Sequence, residues 1–274
     1  MIDFSRRLIR SPQGAAGTVI VLLAILIAAV GPDIAPYDPS AMSPLLRYQG
    51  PSLAHLLGTD EYGRDILSRL LFGARSTVTM AVLATFLGTL VGSVIGTISA
   101  FLGGRADEVI MRTMDAVMSI PSLLFALLIV NLLGSNSVNA LLAVAITFIP
   151  AMARVTRSVA LAVRKQDYIN AAVARGETGL YVVTREMLPN VIAPVIVETT
   201  IRVSFAIMLF ATLSFLGLGA QPPAQEWGLM VAQARQYMHL SAWMLIWPST
   251  AIAIVAIGFN LLGDGLRDVL NPRL

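Results

Sequence analysis

Apolar residues in this chain run in long blocks, separated by shorter polar stretches rich in proline, glycine or arginine. The blocks lie at about 15–30, 78–102, 120–133, 140–153, 191–218 and 242–262. Crossing a hydrocarbon layer ~30 Å thick takes roughly 20 apolar residues in a helix, with ~17 as the lower limit. The pattern therefore predicts an all-α integral membrane protein with six transmembrane helices. The shortest block, 120–133, is helped across by an amphipathic lead-in from Arg105 to Ser119.

The polar stretches divide the chain. Residues 1–14 form a cytoplasmic N-terminus with Arg6, Arg7 and Arg10, and 15–30 the first span. A basic start before an apolar run is shared with cleaved signal peptides. The run approaches the crossing length and further spans follow it, so an uncleaved span is expected. Residues 31–77, with five prolines, read as an extracytoplasmic loop. Near its end Ile66, Leu67, Leu70 and Leu71 share one face, opposite Arg64, Asp65, Ser68 and Arg69, as in a helix lying at the membrane interface. Its charges read as a solvated face, with a gate or a contact with a binding protein as the alternative. Residues 78–274 form a five-helix core.

Inside that core, Gly88, Gly92 and Gly96 recur every four residues, a strip that allows close helix approach in lipid. Asp107 and Asp115 could suggest a cation or proton site, but their position at the inner surface predicts solvated charge. Trp227, in the outer loop 217–241, is a candidate interfacial anchor. The polar island at 167–190 is the most distinctive stretch. Asp167 can cap a short helix, and Gly176 stands where a helix end favours positive φ. A second helical piece, Leu180–Leu188, is expected to stop at Pro189. Tyr168, Ala171, Ala172 and Arg175 share a face by spacing, and the two alanines make it flat enough to dock a partner.

Composition and charge narrow the chemistry. Of 274 residues, 56% are hydrophobic and 13% charged, about half the ~25% charged residues of soluble domains. With no cysteine and two histidines in unrelated segments, neither a metal centre nor a catalytic constellation is expected. The one lysine, Lys165, lies between Arg164 and Gln166, so the chain has no P-loop and no ATPase motif. With the N-terminus inside, thirteen of the 19 basic residues fall on inner segments. Five fall on outer ones (Arg47, Arg64, Arg69, Arg75 and Arg235), and Arg202 lies in a span. That bias obeys the positive-inside rule and places both termini and the island at 167–190 in the cytoplasm. The basic residues follow the membrane, so nucleic acid is not implied. Glu198 and Arg202, four apart within the fifth span, are either a structural ion pair or part of an aqueous path.

The island resembles the EAA loop of ABC importer permeases in Asn170-Ala171-Ala172, Gly176 and Leu188-Pro189. Asn170 stands where that signature usually has Glu, and Glu186 where it has an apolar residue. The strings GTDEYGRDILSRLLFGAR (58–75), FLGLGAQPPAQEWGLM (215–230) and FNLLGDGLRDVLNPR (259–273) are similar to the C-type subunit of the dipeptide/oligopeptide/nickel group of these permeases. The resemblance implies a type I ABC importer permease architecture in the bacterial cytoplasmic (inner) membrane. It implies as partners a homologous B-type permease, two ATPases that bind ATP and Mg, and an extracytoplasmic binding protein. Tyr168, Asn170, Ala171, Ala172, Arg175 and Gly176 would then dock the ATPase. Glu198 and Arg202 would lie on the translocation path, and no residue would be catalytic or bind a metal.

Peptides are the cargo this resemblance implies. Nickel chelates, glutathione or opines are the alternative cargoes of the same machine. An ATP-independent secondary transporter is a further alternative, against which stand the lack of a detectable inverted repeat and of matching broken spans. An intramembrane enzyme lacks plausible catalytic residues.

Overall fold

A computed structural model describes Leu8 and residues 11–270. The basic N-terminal residues Arg6, Arg7 and Arg10, and Arg273 near the other end, lie outside the described residues. Between them the chain is almost entirely helical. Helix α1 spans Pro12–Ile34, α2 Ile66–Leu102, α3 Gly104–Met118, α4 Ser122–Leu133 and α5 Ser137–Arg164. Then follow α6 (Asp167–Ala174), α7 (Gly179–Phe215), α8 (Trp227–Ala234) and α9 (Trp243–Leu270). Helices α1, α2, α5, α7 and α9 are each long and apolar enough to cross a membrane, and α3 with α4 would make a sixth, broken span.

Several boundaries follow from local chemistry. Helix α1 begins where Ser11 accepts from the Gly14 amide and Pro12 supplies a preset φ. Helix α2 is capped by Asp65, which accepts from the amide and hydroxyl of Ser68. From there it runs unbroken for 37 residues. The interfacial helix expected near residue 66 is thus the first turns of a span. An amphipathic start does not break a helix when its polar face has protein to bury against.

The break comes between α3 and α4, which meet at 87°. Pro121 disfavours helical backbone at Ile120 and is itself extended, with φ −52° and ψ 131°. Another proline behaves differently. Pro189, expected to stop a helix, lies inside α7. A π-turn at Val182–Met187 loosens the helix just before it, and the Leu188 amide bonds back five residues to the Val183 carbonyl. Such a widened turn accommodates a ring that would clash in a regular α-helix. Asn190 Nδ2 donates to the Glu186 carbonyl at 2.6 Å, serving an acceptor in the same turn.

The main core lies where α2, α5 and α7 meet, with α1 and α9 alongside. Gly88, Gly92 and Gly96 face α5, against the backbone at Ala145, Ile149 and Ala153 respectively. A Cβ at Gly92 would stand only 2.7 Å from the Met152 Cβ, so the strip has no room for side chains. Large apolar residues on the outer faces, such as Leu22, Leu26, Phe86 and Leu90, are exposed in the isolated chain, as lipid-facing positions should be.

Candidate functional site

Three polar regions stand out: an inner hairpin, a cavity between helices, and a buried ionic cluster at the head of α2.

The inner hairpin is built on α6. Its N-cap is Gln166, not Asp167, which lies in the first turn, where a carboxylate still favours the helix dipole. Arg175 ends the helix and Gly176 follows at φ +79°. The Gly176 amide bonds to the Val173 carbonyl at 3.0 Å and the Glu177 amide to Ala172 at 3.2 Å. This paired closure is what positive φ after a helix permits. Thr178 then caps α7, its hydroxyl accepting from the Tyr181 amide at 3.3 Å.

What holds the hairpin is a second apolar cluster: Ala100 of α2, Ala160 of α5, Ile169 and Ala172 of α6, and Val182, Met187 and Val191 of α7. Here the expected docking face is corrected. Ala172 is fully buried and turns inward with Ile169, because the hairpin needs its own anchor in the bundle. Tyr168, Asn170, Ala171, Arg175 and Gly176 remain exposed, and Val173 is more than half exposed. The outward surface is therefore one residue round the helix from the face that spacing alone suggested.

The cavity, about 510 Å³, lies between α4, α5, α7 and the α3–α4 elbow. Phe125, Phe148, Phe205, Met118 and Met208 give it apolar walls, and Glu198 and Arg202 are the charged residues on them. Arg202 Nη2 is 2.8 Å from Glu198 Oε1. The guanidinium also reaches Met152 Sδ at 3.1 Å and sits 5.6 Å from the Phe148 ring centre. The two residues are paired, and both line the cavity.

The ionic cluster overturns the expected solvated face. His55, Asp60, Glu61, Arg64, Asp65 and Arg69 are all buried. Asp60 accepts from the Tyr62 and Arg64 amides at 2.8 and 2.9 Å, from Arg64 Nε at 2.6 Å, and from Arg69 Nη1. Arg64 Nη2 donates to Glu61 at 2.9 Å. His55 Nδ1 lies 3.0 Å from Asp65. Arg69 reaches across the fold to Gln225 and Gln233, at 2.7 and 2.8 Å. Next to it Glu226 caps α8, accepting from the amides of Gly228 and Leu229 at 2.8 Å each. Burial pushes the Glu226 carboxyl above its ordinary range, against these hydrogen bonds. Trp227, expected at the interface, is buried instead, its indole donating to the Leu70 carbonyl at 3.0 Å. Strings 58–75 and 215–230 thus meet in space, and only the folded chain reveals that their polar residues complete one another.

At the opposite end of α2, Asp107 is also buried rather than solvated. Ser99 donates to it at 2.6 Å and Arg157 Nε at 2.5 Å, tying α3 to α5. Asp115 pairs with Arg154 in a more exposed setting. Among the described residues no group of three or more His, Asp or Glu is placed to hold a metal ion.

Comparison with known proteins adds the following. Residues 88–274 match the family described as "Binding-protein-dependent transport system inner membrane component". Residues 1–51 match the "N-terminal TM domain of oligopeptide transport permease C". The chain is 41% identical to the probable D,D-dipeptide transport system permease DdpC of Escherichia coli K12, over 96% of this chain and 88% of that protein. It is 39% identical to the dipeptide transport system permease DppC of Haemophilus influenzae, over 94% and 90%. It is also 39% identical to the glutathione transport system permease GsiD of Pectobacterium atrosepticum, over 99% and 91%. In fold it is similar to an inward-facing MetNI methionine ABC transporter chain. The TM-score is 0.59 at 18% identity, over 73% of this chain and 96% of that one.

Proposed function

Because the chain belongs to the family of inner membrane components of binding-protein-dependent transport systems, we propose that this multi-pass permease subunit imports short peptides across a bacterial cytoplasmic membrane. It works with a homologous permease, two ATPases that bind ATP and Mg, and an extracytoplasmic binding protein. The ATPases drive the cycle through α6, whose outward surface is Tyr168, Asn170, Ala171, Arg175 and Gly176. The cavity holding Glu198 and Arg202 belongs to the path between the two permeases.

One observation carries this reading: α6 is anchored at its back and bare at its front. Ile169 and Ala172 are buried against α2, α5 and α7, so a push on the exposed face is passed to three membrane helices at once. A short helix with two buried residues has little reason to be held so firmly if nothing touches its other side. Peptide cargo is supported by the names of the dipeptide relatives. Glutathione, itself a small peptide, is a second cargo favoured by the glutathione permease relative, which matches over 99% of this chain.

The test is purification of the assembly from its native membrane, followed by replacement of the α6 surface. The reading expects a second permease and P-loop ATPases to copurify with this chain. Ala171→Arg should strip the ATPases while leaving the two permeases together. A chain that purifies alone and moves solute in liposomes without ATP would instead be a secondary transporter.

A further inference from the structure

We infer that Glu198 and Arg202 form a recognition site for the charged ends of a zwitterionic cargo, an inference that rests on the importer reading above. This pair ties no two elements of the fold together. Some ion pairs among the described residues join separate segments: Arg157 and Asp107 tie α5 to α3, and Arg69 ties α2 to the loop before it, while the one-turn pair Arg112–Glu108 on α3 is exposed to solvent. Glu198 and Arg202 stand one turn apart on a single helix that the backbone already holds. Such a pair adds only a few tenths of a kcal/mol to a helix, while withdrawing two charges from water is costly. Apolar residues would serve packing at least as well. A structural role leaves the expense unexplained.

The pair also has bonding capacity to spare. A guanidinium carries five N–H donors and a carboxylate two oxygens. The pair engages Nη2 of the one and Oε1 of the other, and Met152 takes a further contact through Nε. Both groups therefore retain bonding capacity, with side chains 18% and 24% exposed for Arg202 and Glu198 respectively. A cargo carboxylate can lie against the guanidinium while a cargo ammonium meets the carboxylate, each through a charge-assisted hydrogen bond. The Arg202–Glu198 contact need not break for this to happen.

The surroundings of the pair suit a small charged ligand. The cavity is about 510 Å³, within the roughly 300–1,000 Å³ of small-ligand sites, so a short peptide fits. Its apolar walls lower the local dielectric, which strengthens any charged contact made there. The same walls favour apolar side chains without choosing sharply among them. Charged ends held by Glu198 and Arg202, and side chains against Phe and Met, describe selection for free termini with tolerance of sequence.

The experiment uses the whole transporter in proteoliposomes with its binding protein. Uptake is measured for trialanine, its C-terminal amide and its N-acetyl form, each at a concentration that saturates the binding protein. Free trialanine should enter at least about tenfold faster than either blocked form, a difference of about 1.4 kcal/mol. Arg202→Gln should erase the preference over the amide, and Glu198→Gln the preference over the N-acetyl form. Arg202→Lys, which keeps the cation, should retain most of it. Stimulation of ATP hydrolysis by the binding protein reports that each variant is assembled. Equal wild-type uptake of all three peptides, or variants that slow all three in the same proportion, would overturn the recognition role. If the wild type takes up no peptide on ATP, the peptide-importer reading itself falls.

Discussion

The head of α2 and the α6 hairpin treat charge in opposite ways. At the head of α2 the charged groups are turned inward and satisfied by one another, with Asp60 accepting from both Arg64 and Arg69. At the α6 hairpin the apolar residues Ile169 and Ala172 are turned inward, and Lys165, Arg175 and Arg185 are left exposed. The difference separates two uses of polar sequence. Charges that must hold a long loop and α8 against a span are buried, because only there is their pairing specific and unscreened. The surface proposed to meet another protein leaves its charges exposed and takes its anchorage from apolar residues.

The largest effect should come from breaking the outer network. Asp60→Ala leaves Arg64 and Arg69 without their shared partner, and breaking a buried pair costs about 3–5 kcal/mol. Thermal unfolding of the purified protein in detergent should show a large loss. An unchanged midpoint would mean that water reaches the cluster and that the contrast with the α6 hairpin is false.

A smaller loss is expected from overfilling the anchor of the hairpin. Ala172→Leu inserts bulk among Ala100, Ala160 and Met187, where overpacking costs about 1–3 kcal/mol. Proteolysis within 165–180 should speed up before the bundle as a whole melts. Retained protection of the hairpin would show that Ala172 faces outward after all.

The outer cluster should also respond to pH. Burial, reinforced by neighbouring Asp60, raises the Glu61 carboxyl above its ordinary range. The folded protein therefore holds this proton more tightly than the unfolded chain does. The contribution of Glu61 to stability is complete below the unfolded pKa and is lost as pH rises through the raised folded value. Melting curves from pH 4 upward should show this decline in the wild type and less of it in Glu61→Gln. Identical profiles for the two proteins would remove Glu61 from the account.

Least of all should be the stability effect of Ala171→Arg. This exposed site is expected to shift stability by no more than about 0.5 kcal/mol. ATP-driven uptake should nevertheless collapse. If melting and uptake fell together, the outward face of α6 would be structural and the α6 hairpin would not differ in kind from the head of α2.

Long apolar blocks determined the membrane-spanning fold, because no soluble arrangement hides so much apolar surface in so few residues. Local chemistry also determined the α6 hairpin and its closing turn, since Gly176 at positive φ and the break at 175–178 depend on neighbours in sequence. The glycine strip on α2 was readable for the same reason: a four-residue period fixes a face whatever it packs against. Which way a face points is another matter. Ala171 and Ala172 are chemically identical and adjacent, and only the positions of α2, α5 and α7 decide that Ala172 is the buried one. Pro189 ends no helix because a π-turn makes room for it. Arg69 and Asp107 read as solvated because the partners that complete them, Gln225, Gln233 and Arg157, lie 50 to 164 residues away, and Asp60, Glu61 and Arg64, which pair locally, are buried only by the packing around them. Burial and pairing over such separations arise from packing, which a single sequence expresses only once it has folded.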